Sequence, residues 1–328
     1  MTPVIDLHCD LLSYLNHVPD ATPYKTEEIG ASFPALEAGN VKLQVMAIYT
    51  ASEKGSTESA LKQSLLFKKL LTEHADRLAL AKSTATIQSL PASTKTNMLA
   101  AIENASGICE EDDKLADGFK NLETIISNTE KILYIGLTHH AENRFGGGNN
   151  TKVGLKEDGK ALLDYINGRK IAIDFSHTSD ALAHDILNYL TQKNLDIPIL
   201  ASHSNFRPIF DHPRNLPDDI AMEIINQGGL IGMNFLRAFM NNDDPNALYD
   251  HIAHGLSLGG ANSICFGADF FYTGNHPDQS RRPFYFKEHE NASCYPALLK
   301  ELTKRTNAEQ VEAISHKNVA NYIQKIWS

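Results

Sequence analysis

Close to its N-terminus the sequence reads Val4-Ile5-Asp6-Leu7-His8-Cys9-Asp10, an apolar run that ends in His-x-Asp. Side chains alternate between the two faces of a β-strand, so His8 and Asp10 share one face and Cys9 points to the other. An imidazole and a carboxylate side by side suit a divalent metal such as zinc. When this motif stands alone, a capped strand end with a surface histidine is the more common explanation. The metal interpretation therefore depends on ligands from later strands.

Short apolar runs recur along the chain, each followed by a polar loop and a segment with helical periodicity, which is typical of βα units around a parallel sheet. The candidate strands are Val4–His8, Val41–Tyr49, Asn97–Glu103, Ile132–Thr138, Lys170–Phe175, Ile197–Ala201, Gly229–Asn234 and Ser263–Gly267. The helical patterns between them are Glu58–His74, Leu115–Ser127, Gly159–Asn167, Ser179–Gln192, Pro217–Gln227 and Asn246–Leu258.

Eight βα units predict an α/β protein in which residues 1–328 form a single (β/α)8 TIM-type barrel domain. Such barrels carry their catalytic groups at the C-terminal ends of the strands. A doubly wound open sheet is the alternative architecture. The tail Ala292–Ser328 predicts two or three additional helices on the outside of the barrel, with Trp327 seated against it. The loop 143–154, with three consecutive glycines, is the most flexible-looking segment, and we interpret it as a mobile rim of the site.

Composition excludes several classes of function. The chain has 328 residues, of which 42% are apolar, so it can bury a large core. A net charge of -10 and a pI near 5.8 argue against nucleic-acid and membrane partners. Four scattered cysteines without a CxxC pair indicate reduced thiols. No leader-like segment precedes Val4, and no apolar run approaches the roughly 20 residues of a membrane span, so we expect a cytoplasmic protein.

Two later strands both end in Ser-His, at His177 and His203. Consecutive parallel strands bring these imidazoles close together, and a pair of neutral histidines can bind one metal. Each alone is as readily a hydrogen-bonded loop residue, but together with His8 and Asp10 they favour a metal site. Two metals about 3.5–4 Å apart need a bridging anion, and Glu103 at a strand end is the candidate for it.

Three further acidic residues need an interpretation. Glu110 and Glu111 compete with Glu103 for the bridging position, but they lie in an acidic run that we expect to face solvent. Asp269 follows the last strand and is a candidate to orient a metal-bound hydroxide, although a helix N-cap is the alternative.

These motifs, taken in order, resemble the membrane (renal) dipeptidase family of binuclear zinc metallopeptidases, in its soluble bacterial type. The matching pieces run from the first strand to the last: Ile5-Asp6-Leu7-His8-Cys9-Asp10, Ala101-Ile102-Glu103, Gly136-Leu137-Thr138-His139, Ile173-Asp174-Phe175-Ser176-His177, Ala201-Ser202-His203-Ser204-Asn205, Arg214-Asn215-Leu216-Pro217-Asp218 and Gly267-Ala268-Asp269-Phe270. The resemblance implies a (β/α)8 barrel, hydrolysis of free dipeptides and, commonly, a homodimer.

The resemblance also implies roles for individual residues. Two Zn²⁺ ions per subunit are bridged by Glu103 and a water or hydroxide. One ion is held by His8 and Asp10, and the other by His177 and His203.

Three more side chains complete the implied machinery. Asp269 handles the proton of the bridging water, and His139 contacts the tetrahedral intermediate, so that Asp269, His139 and Glu103 form the catalytic set. Arg214 binds the free C-terminal carboxylate of the substrate, with His139 and Asn205 as further substrate contacts. For Arg214, a surface arginine that caps a helix is the alternative.

The sequence departs from the family pattern at two positions near the predicted site. Phe271 stands where the family has a second acidic residue, and Leu236 stands where a tyrosine is expected. Other amidohydrolase-type enzymes, acting on cyclic amides, lactones or bases, remain the alternative function, although they usually carry His-x-His on the first strand. A catalytically inactive, ligand-binding barrel is the non-enzymatic alternative.

Overall fold

The computed structural model describes residues 1–328 and contains nine parallel strands. They are β1 (Val4–Cys9), β2 (Val41–Tyr49), β3 (Leu78–Leu80), β4 (Thr96–Glu103), β5 (Ile132–Gly136), β6 (Ala172–Asp174), β7 (Ile199–Ala201), β8 (Leu230–Met233) and β9 (Ile264–Phe266). Neighbours pair in the order β2-β1-β9-β8-β7-β6-β5-β4, and β2 also pairs with β4, which closes the barrel. The predicted eight-stranded barrel is therefore confirmed and the open sheet is wrong. The additional strand β3 pairs only with the start of β4.

Thirteen α-helices surround or follow these strands. They are α1 (Leu11–His17), α2 (Phe33–Ala38), α3 (Ser56–Glu73), α4 (Thr84–Ser89), α5 (Leu115–Thr129), α6 (Glu157–Ile166), α7 (Asp180–Lys193), α8 (Asp218–Asn226), α9 (Arg237–Met240), α10 (Ala247–Ser257), α11 (Tyr295–Leu302), α12 (Ala308–Glu312) and α13 (Asn318–Trp327). All six predicted helices are confirmed, with bounds shifted by at most two residues. None of these helices combines the length and the apolar character that crossing a membrane requires.

Strand alternation divides the core into two parts. Along β4, Leu99 and Ala101 point into the barrel, whereas Met98 and Ile102 pack against the surrounding helices. The same alternation directs the next inward residue, Glu103, to the C-terminal mouth. The register of each strand therefore determines which polar side chains meet there.

A β-bulge in β1 adjusts this alternation at the metal-ligand motif. Asp6 pairs with Gln44 and Cys9 pairs with Met46, so β1 has one more residue than β2 over this interval. The backbone N–H of His8 donates to Asp6 Oδ1 within the bulge. Cys9 faces outward, with its sulfur 3.4 Å from that of Met46. Bulges commonly re-aim a side chain near a site.

Two expectations about the periphery were wrong. The last helix, α13, covers the N-terminal end of the barrel rather than its outside, because Tyr322 donates a hydrogen bond to the carbonyl of Ile199 at the start of β7. Trp327 packs half-buried against the barrel, as predicted, but at this end. The three consecutive glycines of the 143–154 loop, Gly146 to Gly148, are buried, and a Cβ at Gly148 would collide with the carbonyl oxygen of His139. The glycines thus permit close packing of the loop beneath the site.

No cysteine forms a disulfide. Cys9, Cys109 and Cys265 are buried and Cys294 is half-buried, in agreement with the predicted free thiols.

Candidate metal centre

The C-terminal ends of six barrel strands deliver polar side chains to one small region. These residues are His8 near the end of β1 and Asp10 just after it, Glu103 at the end of β4, His139 after β5, His177 after β6, His203 after β7 and Asp269 after β9. All are buried except His139, whose side chain is 23% exposed. The structure therefore brings together every residue predicted as a metal ligand or catalytic group.

Glu103 lies at the centre of this cluster. One carboxylate oxygen, Oε2, lies 3.2 Å from His8 Nε2. The other oxygen, Oε1, lies 3.0 Å from His177 Nε2 and 3.5 Å from His203 Nε2. Each carboxylate oxygen therefore faces a different histidine group. Glu110, the competing candidate, instead accepts hydrogen bonds from the first turn of α3 at Thr57.

The cluster has the chemistry of a cation site. The potential ligand atoms of His8, Glu103 and His203 lie within 4.8 Å of one another, and so do those of His8, Asp10 and Asp269. In a tetrahedral zinc site, ligand atoms at ~2.1 Å from the metal are about 3.4 Å apart, close to the spacings around Glu103. His8 Nε2 and Asp10 Oδ1 are buried without a hydrogen-bond partner. Such orphaned polar atoms are costly unless they bind a ligand.

A third group of potential ligand atoms consists of His139, His140 and His177. His140 was not predicted, and it directly follows His139 in the loop after β5. Its Nδ1 lies 2.9 Å from Asn149 Oδ1, which also approaches His177. The imidazoles of His177, His139 and His140 thus form a continuous row that leads from the metal-ligand cluster towards solvent.

Hydrogen-bond partners orient the buried imidazoles. Tyr134 hydroxyl lies 2.7 Å from His8 Nδ1, and Ser202 hydroxyl lies 2.6 Å from His203 Nδ1. Because each Nδ1 is engaged, each Nε2 is directed at the cluster, as is usual for metal-binding histidines. The sequence analysis did not identify Tyr134 or Ser202 as site residues. The Ser-His pair that recurs at two strand ends could have identified Ser202 as a site residue. No motif near Tyr134 in the sequence identifies it.

Asp174 joins two of the strand ends. Its carboxylate accepts hydrogen bonds from the backbone N–H groups of Ser176 and Ser202, and from the Ser202 hydroxyl. The backbone N–H of His203 in turn donates to the Ser176 hydroxyl. This buried network fixes the two Ser-His segments relative to each other.

Burial shifts the pKa values of several residues in the cluster. It raises the pKa of Glu103 to about 8 and that of Asp269 to about 6. Burial also lowers the pKa of His177 and His203 well below the ordinary value, with Arg214 adding to the effect. Neutral imidazoles are the form that binds metal, and a bound cation would compensate the clustered carboxylates.

Two site residues have a left-handed backbone conformation that is uncommon outside glycine. His177 has φ 67° and Asp269 has φ 63°. Strain of this kind costs on the order of 1–3 kcal/mol and is found frequently at functional sites. No helix begins at Asp269, so the N-cap alternative is wrong. Its Oδ2 instead accepts a hydrogen bond of 2.9 Å from Asn234 Nδ2.

A cavity of about 470 Å³ opens above the cluster. Asp10, Glu103 and Asp269 lie at its floor, and its walls include Leu236 and Phe271 at the two positions of departure from the family pattern. The volume is in the range of small-molecule sites.

The predicted substrate contacts have different positions from those expected. Arg214 is 3% exposed, so the surface-arginine alternative is wrong. Its guanidinium donates to the Ser204 hydroxyl and to the His203 carbonyl, and Nε has no partner. It therefore lies behind the cavity wall, not over the mouth. Asn205 is fully buried and exchanges hydrogen bonds with the backbone of Asn234, so the predicted substrate contact is not supported at this position.

Comparison with known proteins agrees with this geometry. The family model "Membrane dipeptidase (Peptidase family M19)" matches residues 1–327. An uncharacterized protein from the pqqA 5' region of Klebsiella pneumoniae is 29% identical over 223 residues, which are 63% of this chain and 77% of that protein. An uncharacterized dipeptidase of Schizosaccharomyces pombe is 29% identical over 206 residues, which are 60% of this chain but only 46% of that protein.

The fold also has solved counterparts. A metallo peptidase from Rhodobacter sphaeroides, crystallised with a phosphinate mimic of the dipeptide L-Ala-D-Ala, superimposes with a TM-score of 0.80 at 20% identity over 99% of both chains. At this identity the likeness establishes the fold alone. The family match over nearly the whole chain goes further: this chain belongs to the membrane dipeptidase family, peptidase family M19, and is a metallo-dipeptidase, a hydrolase of peptide bonds.

Proposed function

We propose that this protein hydrolyses free dipeptides with two zinc ions that Glu103 bridges together with a water or hydroxide. The observation that carries the proposal is the position of Glu103, whose two oxygens face His8 on one side and His177 on the other. A single carboxylate between two ligand groups is the arrangement that a two-metal site requires.

The ligands divide into two sets. His8 and Asp10 would hold one ion, and His177 and His203 would hold the other. When bound, the ions supply a water that is acidic enough to ionise near neutral pH and a positive charge that polarises the peptide carbonyl.

Asp269 is the proposed proton carrier. Its Oδ1 lies 3.8 Å from His8 Nε2, and the hydrogen bond from Asn234 holds the other oxygen. Burial raises its pKa to about 6, close to the range in which a group both accepts and returns a proton at neutral pH. Asp269 thus takes a proton from the attacking water and delivers it to the leaving amine.

His139 is the proposed partner of the developing oxyanion. Its Nε2 lies 3.9 Å from Glu103 Oε1, and its ring packs against Tyr49 with centroids 4.9 Å apart. Burial and the neighbouring His140 lower the pKa of His139 well below the ordinary value. The ring is therefore a neutral hydrogen-bond donor, aimed at the cavity floor where charge grows in the transition state.

The substrate would lie in the cavity above these groups. The Rhodobacter sphaeroides protein was crystallised with a mimic of L-Ala-D-Ala, and this supports small dipeptides as the first compounds to assay. Arg214 is the proposed partner of the substrate's C-terminal carboxylate, since its positive charge lies close enough to act on Glu103 and Asp269. The guanidinium of Arg214 is buried behind the cavity wall. We therefore propose that it attracts the substrate carboxylate through its electrostatic field, or contacts it after a side-chain movement.

The test combines metal analysis with a dipeptide panel. We expect the purified protein to contain about two zinc ions per chain, to lose activity on chelation and to regain it with zinc. L-Ala-L-Ala and L-Ala-D-Ala should be cleaved, whereas tripeptides should not. Absence of hydrolysis by the zinc-loaded protein across the panel would overturn the proposal. The homodimer is also part of the proposal, and light scattering on the zinc-loaded protein tests it.

A further inference from the structure

One arginine in the cavity has no partner within the protein. Arg281 is half-buried and lines the cavity, in the loop that follows β9. Its guanidinium carbon lies 5.7 Å from the ring centre of Phe239 and 5.7 Å from that of Phe284. The guanidinium makes no hydrogen bond and no ion pair, although every other arginine of the chain donates at least one hydrogen bond: Arg77, Arg144, Arg169, Arg207, Arg214, Arg237, Arg282 and Arg305.

The packing of Arg281 prepares it for a planar anion. Two aromatic rings restrict the guanidinium, so less side-chain entropy is lost when a ligand binds. The carboxylate of Asp278, on the same loop, accepts hydrogen bonds from the hydroxyl and backbone N–H of Ser280 and forms no ion pair with Arg281. The Ser280 hydrogen bonds and, to a smaller extent, the nearby charge of Arg281 hold the pKa of Asp278 below its usual value. All five guanidinium N–H donors therefore remain available to a ligand.

Charge is distributed unevenly along the cavity. The carboxylates that line it, Asp10, Glu103 and Asp269, all belong to the floor with the metal-ligand cluster. The outer part contains Arg281 together with His140 and His276, and no carboxylate. An anionic group on a bound substrate is thus favoured at the outer part and disfavoured at the floor.

Arg281 and Arg214 share one aromatic ring. The guanidinium carbon of Arg214 lies 5.6 Å from the centre of the Phe239 ring that Arg281 also contacts. Arg214 donates to the backbone carbonyl of His203, a residue of the metal-ligand cluster, whereas Arg281 lines the cavity together with His276 on the loop after β9. Arg214 is therefore the inner cation and Arg281 the outer one. Two neighbouring cations suit a residue that carries two carboxylates.

We propose that Arg281 is a specificity-determining residue that binds the side-chain carboxylate of an acidic C-terminal residue, so that the preferred substrates are dipeptides ending in glutamate or aspartate. This inference rests on the proposed function, because it assigns the α-carboxylate to Arg214. We assign the acidic side chain to the C-terminal residue of the dipeptide and not to the N-terminal one. The reason is that Arg214, the proposed partner of the α-carboxylate, and Arg281 both pack on the Phe239 ring. A fork of two parallel hydrogen bonds then recognises the second carboxylate.

The test measures a preference ratio. The zinc-loaded protein is assayed with Ala-Glu, Ala-Gln and Ala-Ala, with both epimers of the C-terminal residue, and kcat/KM for Ala-Glu is divided by that for Ala-Gln. We expect the wild type to favour Ala-Glu by about tenfold or more, the size of one charge-assisted hydrogen-bond pair at a half-exposed position. Arg281→Gln should abolish the preference, and Arg281→Lys should recover only part of it.

Two further variants make the test specific. Arg282→Gln, at the adjacent exposed arginine that does not line the cavity, should keep the wild-type ratio. Arg281→Glu should invert the preference, so that Ala-Lys is cleaved faster than Ala-Glu. Melting temperatures of all variants identify any that fail to fold. If Arg281→Gln is among them, the ratio of Ala-Lys to Ala-Glu cleavage by Arg281→Glu tests the proposal in its place.

The outcomes separate the two proposals. Hydrolysis of Ala-Ala without a preference for Ala-Glu overturns the role of Arg281 and leaves the dipeptidase proposal standing. An equal loss on Ala-Glu and Ala-Gln in Arg281→Gln assigns Arg281 to the α-carboxylate and overturns the side-chain assignment. Absence of hydrolysis for every dipeptide overturns the proposed function and this inference with it.

Discussion

The hydroxyl of Tyr134 lies 2.7 Å from Nδ1 of His8, and this contact determines which nitrogen of His8 faces the metal-ligand cluster. The same hydroxyl donates to the carbonyl of Leu7, so its hydrogen is already committed. The hydroxyl oxygen therefore accepts from His8 Nδ1–H, and Nε2 carries the lone pair that a metal needs.

Tyr134→Phe should weaken metal binding without unfolding the protein. Loss of such a partner typically costs about 10- to 100-fold in metal affinity, because the ring orientation and the tautomer are no longer fixed. Zinc affinity, measured by competition with a chromophoric chelator, checks this expectation. Tyr322→Phe is the matched control, since its hydroxyl also bonds a carbonyl but at the opposite end of the barrel. Equal zinc affinities in wild type and Tyr134→Phe would contradict the orienting role.

Asp269→Asn should retain zinc but lose most turnover. The amide still occupies the site and can bond Asn234, but it cannot take a proton, and a positioned base is worth about 10²- to 10⁴-fold in rate. Metal content and kcat are measured together on the same preparation. Asp250→Asn, an exposed acidic residue on α10, is the control. A kcat similar to that of the wild type would remove Asp269 from the mechanism.

The metal-free protein should lose stability as the pH rises from 6.5 to 8. The pKa of Glu103 is raised from 4.5 to about 8, so its stabilising contribution is complete below about pH 4.5 and is lost as the pH approaches 8. The neighbouring Asp10 is shifted in the same direction by burial and by Glu103. Histidines with lowered pKa, such as His203, act oppositely, but only below their ordinary value of 6.5.

Melting temperatures of chelator-treated protein between pH 6.5 and 8 check this prediction. Glu103→Gln should flatten the dependence because glutamine does not titrate, whereas Glu301→Gln, at an exposed carboxylate, should leave it unchanged. A melting temperature of the wild type that rises over this interval would show that the sign is wrong.

Arg214→Ala should reduce kcat/KM for free dipeptides by about 2–5 kcal/mol, since the substrate carboxylate would lose its partner. Dipeptides with an amidated C-terminus should be poor substrates of the wild type and nearly indifferent to the mutation. Arg207→Ala, which removes an arginine paired with Asp180 at the surface, is the control. If Arg214→Ala cleaves dipeptides and their amides in the wild-type ratio, the recognition of the carboxylate by this residue is wrong.

The sequence by itself determined the architecture and the chemical identity of the metal-ligand cluster. Hydrophobic periodicity is a local property, so all eight barrel strands and six of the helices were predicted from it. Parallel strands place their C-terminal ends at one mouth, and His8, Glu103, His177, His203 and Asp269 could therefore be expected to meet there before any distance was known.

Only the tertiary structure decided what surrounds that cluster. Tyr134 carries no local signal, because its partner His8 is 126 positions away in the chain and is brought close only by closure of the barrel. Arg214 and Asn205 both follow His203 in family-like motifs, yet packing buried their side chains behind the cavity wall. Arg281 faces the cavity because Phe239 of α9 and Phe284 of the loop after β9 restrict its guanidinium. Side-chain partners of this kind depend on contacts between distant segments, which periodicity and spacing along one chain do not specify.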